Sequence, residues 1–204
     1  NLPSTIVFCK DNIFTRHIKI NTFTSLLKRN IFTSLEEKNK TLNFPISVQL
    51  SDNSFNEINS SWYKFDYSRK YFADYNIFYN YIFKNVRKPL FLKFAPGANY
   101  IVPKNHILLR SKNFYKNLLK FISHSQYSCE SHFTERSLSL IWNSNIDSSE
   151  NMNKRVTKND IKILIYNCDS LKRKESRILE KAPQKIAFII GRFYFKLLSK
   201  VLYK

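Results

Sequence analysis

The chain has 204 residues, and its 34 Lys and Arg against 15 Asp and Glu give a formal net charge of +19. Hydrophobic residues make up 43% of the sequence, which supplies a buried core and excludes wholesale disorder. With only two glycines, Gly97 and Gly191, the sequence excludes Gly-rich phosphate loops and dinucleotide-binding motifs. The composition therefore predicts a soluble, basic, intracellular protein that attracts polyanions, nucleic acid first among them.

Three further features of the sequence bear on the class and origin of the protein. The three cysteines are odd in number and far apart, which argues against a secreted disulfide framework. No signal peptide is visible, and the apolar run Ile186 to Ile190 is far shorter than the ~20 residues of a membrane span. Abundant Asn, Lys, Ile, Phe and Tyr indicate an A/T-biased genome, such as that of an organelle.

The first half of the chain contains one clear strand pattern and one clear helix pattern. Phe44 to Leu50 predicts a short strand, and the polar stretch Ser51 to Ser61 predicts a loop. Trp62 to about Val86 predicts a helix that ends before Pro89. Apolar residues in this helix step by four, three, four and four, which places them on one face: Tyr71, Tyr75, Phe78, Ile82 and Val86.

The middle of the chain is less regular. Phe91 to Phe94 and Tyr100 to Val102 predict strands on either side of Pro96 and Gly97, and Phe114 to Ile122 predicts a helix. Ser123 to Arg136 shows no clear period, and the polar stretch Asn143 to Asn153 predicts a flexible loop.

The last quarter of the chain is strongly basic. Asp160 to Asn167 and Ser176 to Lys181 predict strands, and Ala182 to Lys204 predicts a helix with one apolar stripe. Beside that stripe, cations recur every four residues at Arg192, Lys196, Lys200 and Lys204. Each such pair of like charges costs an isolated helix about 0.2–0.5 kcal/mol, which an anionic partner would relieve. A solvated face is the alternative interpretation.

Other candidate sites have weaker support in the sequence. The helical spacing of Tyr71, Tyr75 and Phe78 favours core packing over stacking on bases. A zinc site would need the loosely spaced residues His124, Cys129, His132 and Cys168, so we predict none. The carboxylates Glu130, Glu135 and Asp147 are near these histidines in sequence only, and we expect neither an enzyme nor a cofactor.

Three segments in order resemble the start of the small-subunit ribosomal protein S-three family, especially its mitochondrially encoded versions. They are Pro45 to Leu50, then Ser60 to Tyr63, then Tyr67 to Phe83. In this comparison Asp74 stands at the acidic position of the family's helix and Tyr81 falls near its closing aromatic residue. Phe44 replaces the usual Asn, and Gln49 replaces the usual Arg.

The end of the chain resembles the KH domain of the same family. Residues 160–167 resemble its first strand, and residues 176–200 its next strand, proline, turn and helix. Pro183 matches the family's proline, and Gly191 matches the first glycine of its G-x-x-G turn. Tyr194 stands where the second glycine is expected, which weakens a turn whose backbone amides approach phosphates.

The resemblance implies an α+β fold, with an incomplete type II KH-like domain preceded by an amino-terminal helix and carrying a large insertion. It divides the chain into an extension (1–43), an amino-terminal strand and helix (44–88), an insertion (89–159) and an incomplete KH-like core (160–204). We then expect a structural component of the mitochondrial small-subunit head, located in the matrix. Its expected partners are small-subunit rRNA, neighbouring head proteins and a second polypeptide supplying the carboxyl-terminal half, with no membrane contact.

The resemblance and the charge pattern together select the expected RNA contacts. They are Lys172, Arg173, Lys174, Lys181, Lys185, Gly191, Arg192, Lys196 and Lys200. Arg69, Lys70, Arg87 and Lys88 come second, and could equally form a solvated face. An alternative function is a lineage-specific accessory subunit of a mitochondrial respiratory complex, with residues 183–204 as an amphipathic helix on the membrane surface.

Overall fold

The structure is a computed structural model that describes residues 2–9, 13–16, 18–35, 48–50, 58–84, 91–95, 97–142 and 146–181. The described strands are β1 Thr5–Phe8, β2 Thr33–Ser34, β3 Val48–Leu50, β4 Phe91–Lys93 and β5 Tyr100–Pro103. The described helices are α1 Ile13–Arg16, α2 Ile20–Arg29, α3 Trp62–Asp66, α4 Tyr75–Ile82, α5 Lys104–Ile107, α6 Lys112–Ile122, α7 Cys129–Ile141, α8 Glu150–Asn153 and α9 Lys158–Lys181. The fold is therefore α+β, as expected.

Two small antiparallel sheets join distant parts of the chain. The first has the order β1-β5-β2, with Thr5 opposite Pro103 and Phe8 opposite Tyr100. The second pairs β3 with β4, with Val48 opposite Lys93. The strand predictions near residues 48–50, 91–94 and 100–102 are confirmed, while residues 44–47 lie outside the described part of the chain.

The single helix predicted over residues 62–86 is wrong in its continuity. The chain forms α3 and α4, separated by the non-helical stretch 67–74. Asp74 ends this stretch as the N-cap of α4, because its Oδ1 accepts the Ile77 amide at 2.8 Å. Residues 58–60, predicted as loop, form a helical turn, and Val86 lies outside the described residues.

The helix predicted over residues 114–122 is confirmed as α6, but two neighbouring elements were missed. α7 occupies Cys129–Ile141, where the sequence shows no clear period, and begins with Ser128 accepting the Ser131 amide. The predicted loop over residues 143–153 is wrong in part, because Glu150–Asn153 is helical and the Met152 side chain is fully buried.

The strands predicted over residues 160–167 and 176–181 are wrong. Both stretches belong to α9, a 24-residue helix about 36 Å long. Ile161, Leu164 and Cys168 follow the helical spacing of three and four residues and pack on or against the core. The helix predicted over residues 182–204 lies outside the described residues.

Aromatic side chains form most of the interior. Tyr71, Tyr75 and Phe78, predicted to be core, are each at most 5% exposed, and Ile82 is fully buried beside them. Their neighbours include Phe121 of α6, whose ring centroid lies 5.2 Å from that of Phe72 in an edge-to-face arrangement. Residues from both sides of position 89 therefore share one core.

Candidate nucleic-acid interface

Helix α9 begins at a reciprocal pair of hydrogen bonds. The Thr157 amide and hydroxyl donate to the Asp160 carboxylate at 2.8 and 2.7 Å, and the Asp160 amide donates to the Thr157 hydroxyl at 3.1 Å. These bonds, with Lys120 adding a weaker contribution, hold the pKa of Asp160 below its usual 3.8. The arrangement is a capping box with aspartate at the third helical position, and it fixes where the helix starts.

The side of α9 that faces away from the core combines cations with an exposed aromatic ring. We define the α9 face as Lys162, Tyr166, Arg173 and Arg177, whose spacings of four, seven and four residues place them on one side. All four are exposed, and Tyr166 retains 68% of its accessible surface. This face spans about 22 Å along the helix axis.

Close to the end of this face, cations line a shallow groove of about 500 Å³. The groove is formed by Asp169, Lys172, Arg173, Ser176 and Arg177. Lys172 is partly neutralised, because its Nζ lies 2.9 Å from Oδ1 of Asp169. Within the described part of the chain, Arg173 and Arg177 form no ion pair, so they are available to an external anion.

The structure describes some of the expected RNA-contacting residues. Lys172 lines the groove, Arg173 lies on the α9 face, and Lys174 is exposed next to it. Lys181 is the last residue of α9. Lys185, Gly191, Arg192, Lys196 and Lys200 lie outside the described residues, as do Arg87 and Lys88 in the second group. Lys162, Tyr166 and Arg177 were not predicted as contacts. They come together on one face only if the whole segment 158–181 is taken as a helix.

Arg69, from the second group of expected RNA contacts, instead forms hydrogen bonds within the protein. Its Nη1 donates to Oε2 of Glu175 at 3.1 Å and to the Ala73 carbonyl oxygen at 2.8 Å. Oε1 of Glu175 accepts a hydrogen bond from Nζ of the buried Lys64 at 3.0 Å. Both cations outweigh the effect of burial and hold the pKa of Glu175 below its usual 4.5. Arg69 therefore docks α9 on the core, whereas Lys70 remains exposed.

The histidines and cysteines of the considered zinc site have other partners. His124 Nε2 lies 2.9 Å from Oε2 of the buried Glu130, and the His132 ring stacks on Tyr63 with centroids 4.5 Å apart. Cys129 and Cys168 are buried as free thiols. Among the described residues, no group of three or more His, Cys, Asp or Glu side chains is arranged to hold a metal ion.

The sequence patterns did not indicate a second basic surface, which is formed by α6 and by the residues just before α9. Lys116, Lys120 and Arg155 line a cavity of about 380 Å³ together with Asn113, Asn117 and Val156. We call this the α6 pocket. The signal in the sequence is the spacing of four between Lys112, Lys116 and Lys120, but the approach of Arg155 follows only from the tertiary structure.

The chain matches no protein-family model, no curated protein and no solved structure. None of the helices in the described ranges has the length and apolar character needed to cross a membrane. The basic surfaces of α9 and of the α6 pocket are therefore the features from which a function can be argued.

Proposed function

We propose that this chain is a structural RNA-binding protein of the mitochondrial small ribosomal subunit, and that the α9 face contacts rRNA. The observation that carries the proposal is the outward line of Lys162, Tyr166, Arg173 and Arg177 on one helix. Cations neutralise phosphates without reading sequence, and an exposed aromatic ring can stack on an unpaired base. Such a combination is typical of RNA-binding surfaces.

The resemblance to the ribosomal protein S-three family supports the ribosomal part of the proposal. It rests on the order of the sequence motifs within residues 44–88, where the family-like helix segment 67–83 is helical only over Tyr75–Ile82. The proposal does not include the type II KH-like core, because two of its strands would fall at residues 160–167 and 176–181 inside α9. The division of the chain into four segments stays a prediction.

Several partners follow from the proposed location. A protein of the small-subunit head would contact rRNA and neighbouring ribosomal proteins in the mitochondrial matrix. The net charge of +19 supports a partner that is a dense polyanion.

The α9 face can be tested with a charge-removing variant of the full chain. Lys162→Gln, Arg173→Gln and Arg177→Gln together remove the three exposed cations of the α9 face while keeping much of each aliphatic stem. We expect RNA affinity to fall roughly 10- to 100-fold, and the slope of log K against log salt to decrease by about 2 to 3. Fluorescence anisotropy with a labelled RNA hairpin measures both.

The matched control removes the same charge elsewhere. Lys28→Gln, Arg29→Gln and Lys84→Gln alter exposed cations outside both basic surfaces. This control should retain the wild-type affinity apart from a small effect of net charge. Equal losses in the two triple variants, or no RNA binding by the wild-type chain, would contradict the proposed function.

A further inference from the structure

We propose that the α6 pocket is a second RNA-binding site, one that holds backbone phosphate groups. This inference rests on the proposed function, since it assigns a further contact to the same class of partner. The pocket is formed by α6 and by residues 155–156, just before α9. Lys158, at the start of α9, lies about 22 Å along the helix from Arg173, so the pocket is separate from the groove at Lys172, Arg173 and Arg177.

The pocket is held in shape by a buried amide. Asn117 is 4% exposed, and its Nδ2 donates to the carbonyl oxygens of Met152 and Lys154 at 3.0 and 2.7 Å. Its Oδ1 accepts the Val156 amide at 3.3 Å. These bonds fasten the chain on both sides of Arg155 to α6, so the backbone of Arg155 is positioned beside Lys116 and Lys120 before any ligand binds.

The charge of the pocket is balanced only in part from within. Among the described residues, no ion pair joins Lys116 or Arg155 to a carboxylate, whereas Lys120 helps to lower the pKa of Asp160. The Asp160 carboxylate already accepts the amide and hydroxyl of Thr157. The pocket therefore keeps an excess of positive charge, and a bound anion would relieve the repulsion among its cations.

The chemistry of the lining selects the kind of anion. An arginine guanidinium can bind two oxygens of one phosphate group, and each lysine ammonium adds a point charge beside it. Val156 is the one apolar residue of the lining and is itself buried, which disfavours an apolar ligand. The cavity, about 380 Å³, is in the size range of small-ligand sites and accommodates a phosphodiester unit.

The test adds two triple variants of the full chain to the same anisotropy assay. Lys116→Gln, Lys120→Gln and Arg155→Gln all change exposed side chains, so the fold should persist, and thermal unfolding checks this. We expect the salt slope for the RNA hairpin to decrease by about 2 to 3 and the affinity to fall roughly 10- to 100-fold. Lys116→Arg, Lys120→Arg and Arg155→Lys keep the charges and should retain most of the slope.

The outcomes separate the inference from the proposed function. If the α9 variant weakens binding and the α6-pocket variant matches the Lys28, Arg29 and Lys84 control, the inference is overturned and the proposed function stands. If the wild-type chain does not bind the hairpin, the proposed function falls and the inference falls with it.

Two competing anion sources are tested directly. The first source is free phosphate, tested by adding inorganic phosphate at constant ionic strength. The pocket would be assigned to a free anion if phosphate raised the unfolding temperature of the wild-type chain but not of the α6-pocket Gln variant, and if that variant kept the wild-type salt slope for RNA. Vesicles containing phosphatidylserine would assign it to a lipid headgroup if the variant lost vesicle binding but kept RNA binding. Either result overturns the inference.

Discussion

Glu130 determines the path of the chain between α3 and α4. Its side chain is fully buried, and Oε1 accepts the amides of Lys70 and Tyr71 at 2.8 Å each. Its other oxygen pairs with His124 Nε2. In a continuous helix these backbone amides would donate to carbonyl oxygens one turn earlier. Here the Glu130 side chain accepts their hydrogen bonds instead, so the non-helical stretch keeps its amides satisfied. The break between the two helices thus depends on a residue about sixty positions later in the chain.

Replacing Glu130 should therefore destabilise the whole fold. Glu130→Ala leaves the buried Tyr71 amide, the part-buried Lys70 amide and His124 without this acceptor, and we expect a loss of about 3 to 5 kcal/mol in the free energy of unfolding. Urea unfolding monitored by circular dichroism measures it. Glu150→Ala is the matched control, since Glu150 is exposed, and it should change stability by less than about 0.5 kcal/mol. Similar stabilities for the two variants would refute this role of Glu130.

Glu175 and Glu135 predict a loss of stability in acid. Burial opposes the ionisation of both carboxyls. Lys64 and Arg69 nevertheless lower the pKa of Glu175 below the usual 4.5. His132 and Arg136 do the same for Glu135. A carboxyl whose pKa is lower in the folded state stabilises the protein above pH 4.5, and this contribution is lost as the pH falls below that value. The unfolding temperature should fall over that range.

The matched variant for this pH dependence is Glu175→Gln. It should start from a lower unfolding temperature at neutral pH and show a smaller decline below pH 4.5, because one of the two carboxyls no longer titrates. A decline as steep as that of the wild-type chain would show that Glu175 does not contribute to it.

The three thiols should differ in reactivity. Cys9 is exposed, whereas burial raises the pKa of Cys168 to about 11 and raises the pKa of Cys129 above its usual 9.0. Because the thiolate is the reactive form, we expect maleimide to modify one thiol rapidly in the folded chain and all three after denaturation. Intact-mass spectrometry over time counts the adducts. Comparable rates for all three thiols in the folded chain would refute the burial of Cys129 and Cys168.

At the scale of elements, helix α9 shows where sequence patterns are ambiguous. Ile161, Ile163 and Ile165 alternate as in a strand, yet Ile161, Leu164 and Cys168 also have helical spacing. Burial decides between the two patterns, since Ile163 is 50% exposed while Leu164 and Cys168 are buried. The capping box of Thr157 and Asp160 was a readable helix-start signal, whereas the contact of Glu175 with Lys64 and Arg69 has no local signature.

Elements with strong local signals were predictable. The burial of Tyr71, Tyr75, Phe78 and Ile82, the two strands near residues 91–94 and 100–102, and α6 all follow from short-range patterns, although Tyr71 precedes α4 and does not lie on its helical face. The pairing of β1 with β5 joins residues about ninety positions apart, and nothing in either segment specifies that partner. For the site, cation clustering indicated Arg173 and Lys174, but the convergence of Arg155 with α6 required the Asn117 hydrogen bonds.

The exposed ring of Tyr166 provides a test of the α9 face that does not involve charge. Tyr166→Ala should weaken binding to a single-stranded RNA by about 1 to 3 kcal/mol if the ring stacks on a base, and should leave the salt slope unchanged. Tyr127→Ala is the control, because Tyr127 is also an exposed tyrosine but belongs to a turn before α7 and not to the α9 face. Equal affinities for both variants would contradict stacking on Tyr166.

At the scale of the whole molecule, the two basic surfaces lie outside the hydrophobic core. Aromatic and aliphatic side chains from both halves of the described chain fill the larger of its two hydrophobic clusters, and the buried cations Lys64 and Arg110 are satisfied by a carboxylate and by carbonyl oxygens. The exposed cations of the α9 face and the α6 pocket contribute to the excess charge of +19. A protein of this kind is expected to bind a polyanion along an extended surface with strong dependence on salt.

The most direct test of the account is sedimentation of the native protein on a sucrose gradient, with and without RNase, followed by mass spectrometry of the co-migrating proteins. The account predicts migration with the mitochondrial small ribosomal subunit, lost after extensive RNase digestion, with ribosomal head proteins as neighbours. Migration with detergent-solubilised respiratory complexes, unchanged by RNase, would contradict it and favour a subunit at the membrane surface.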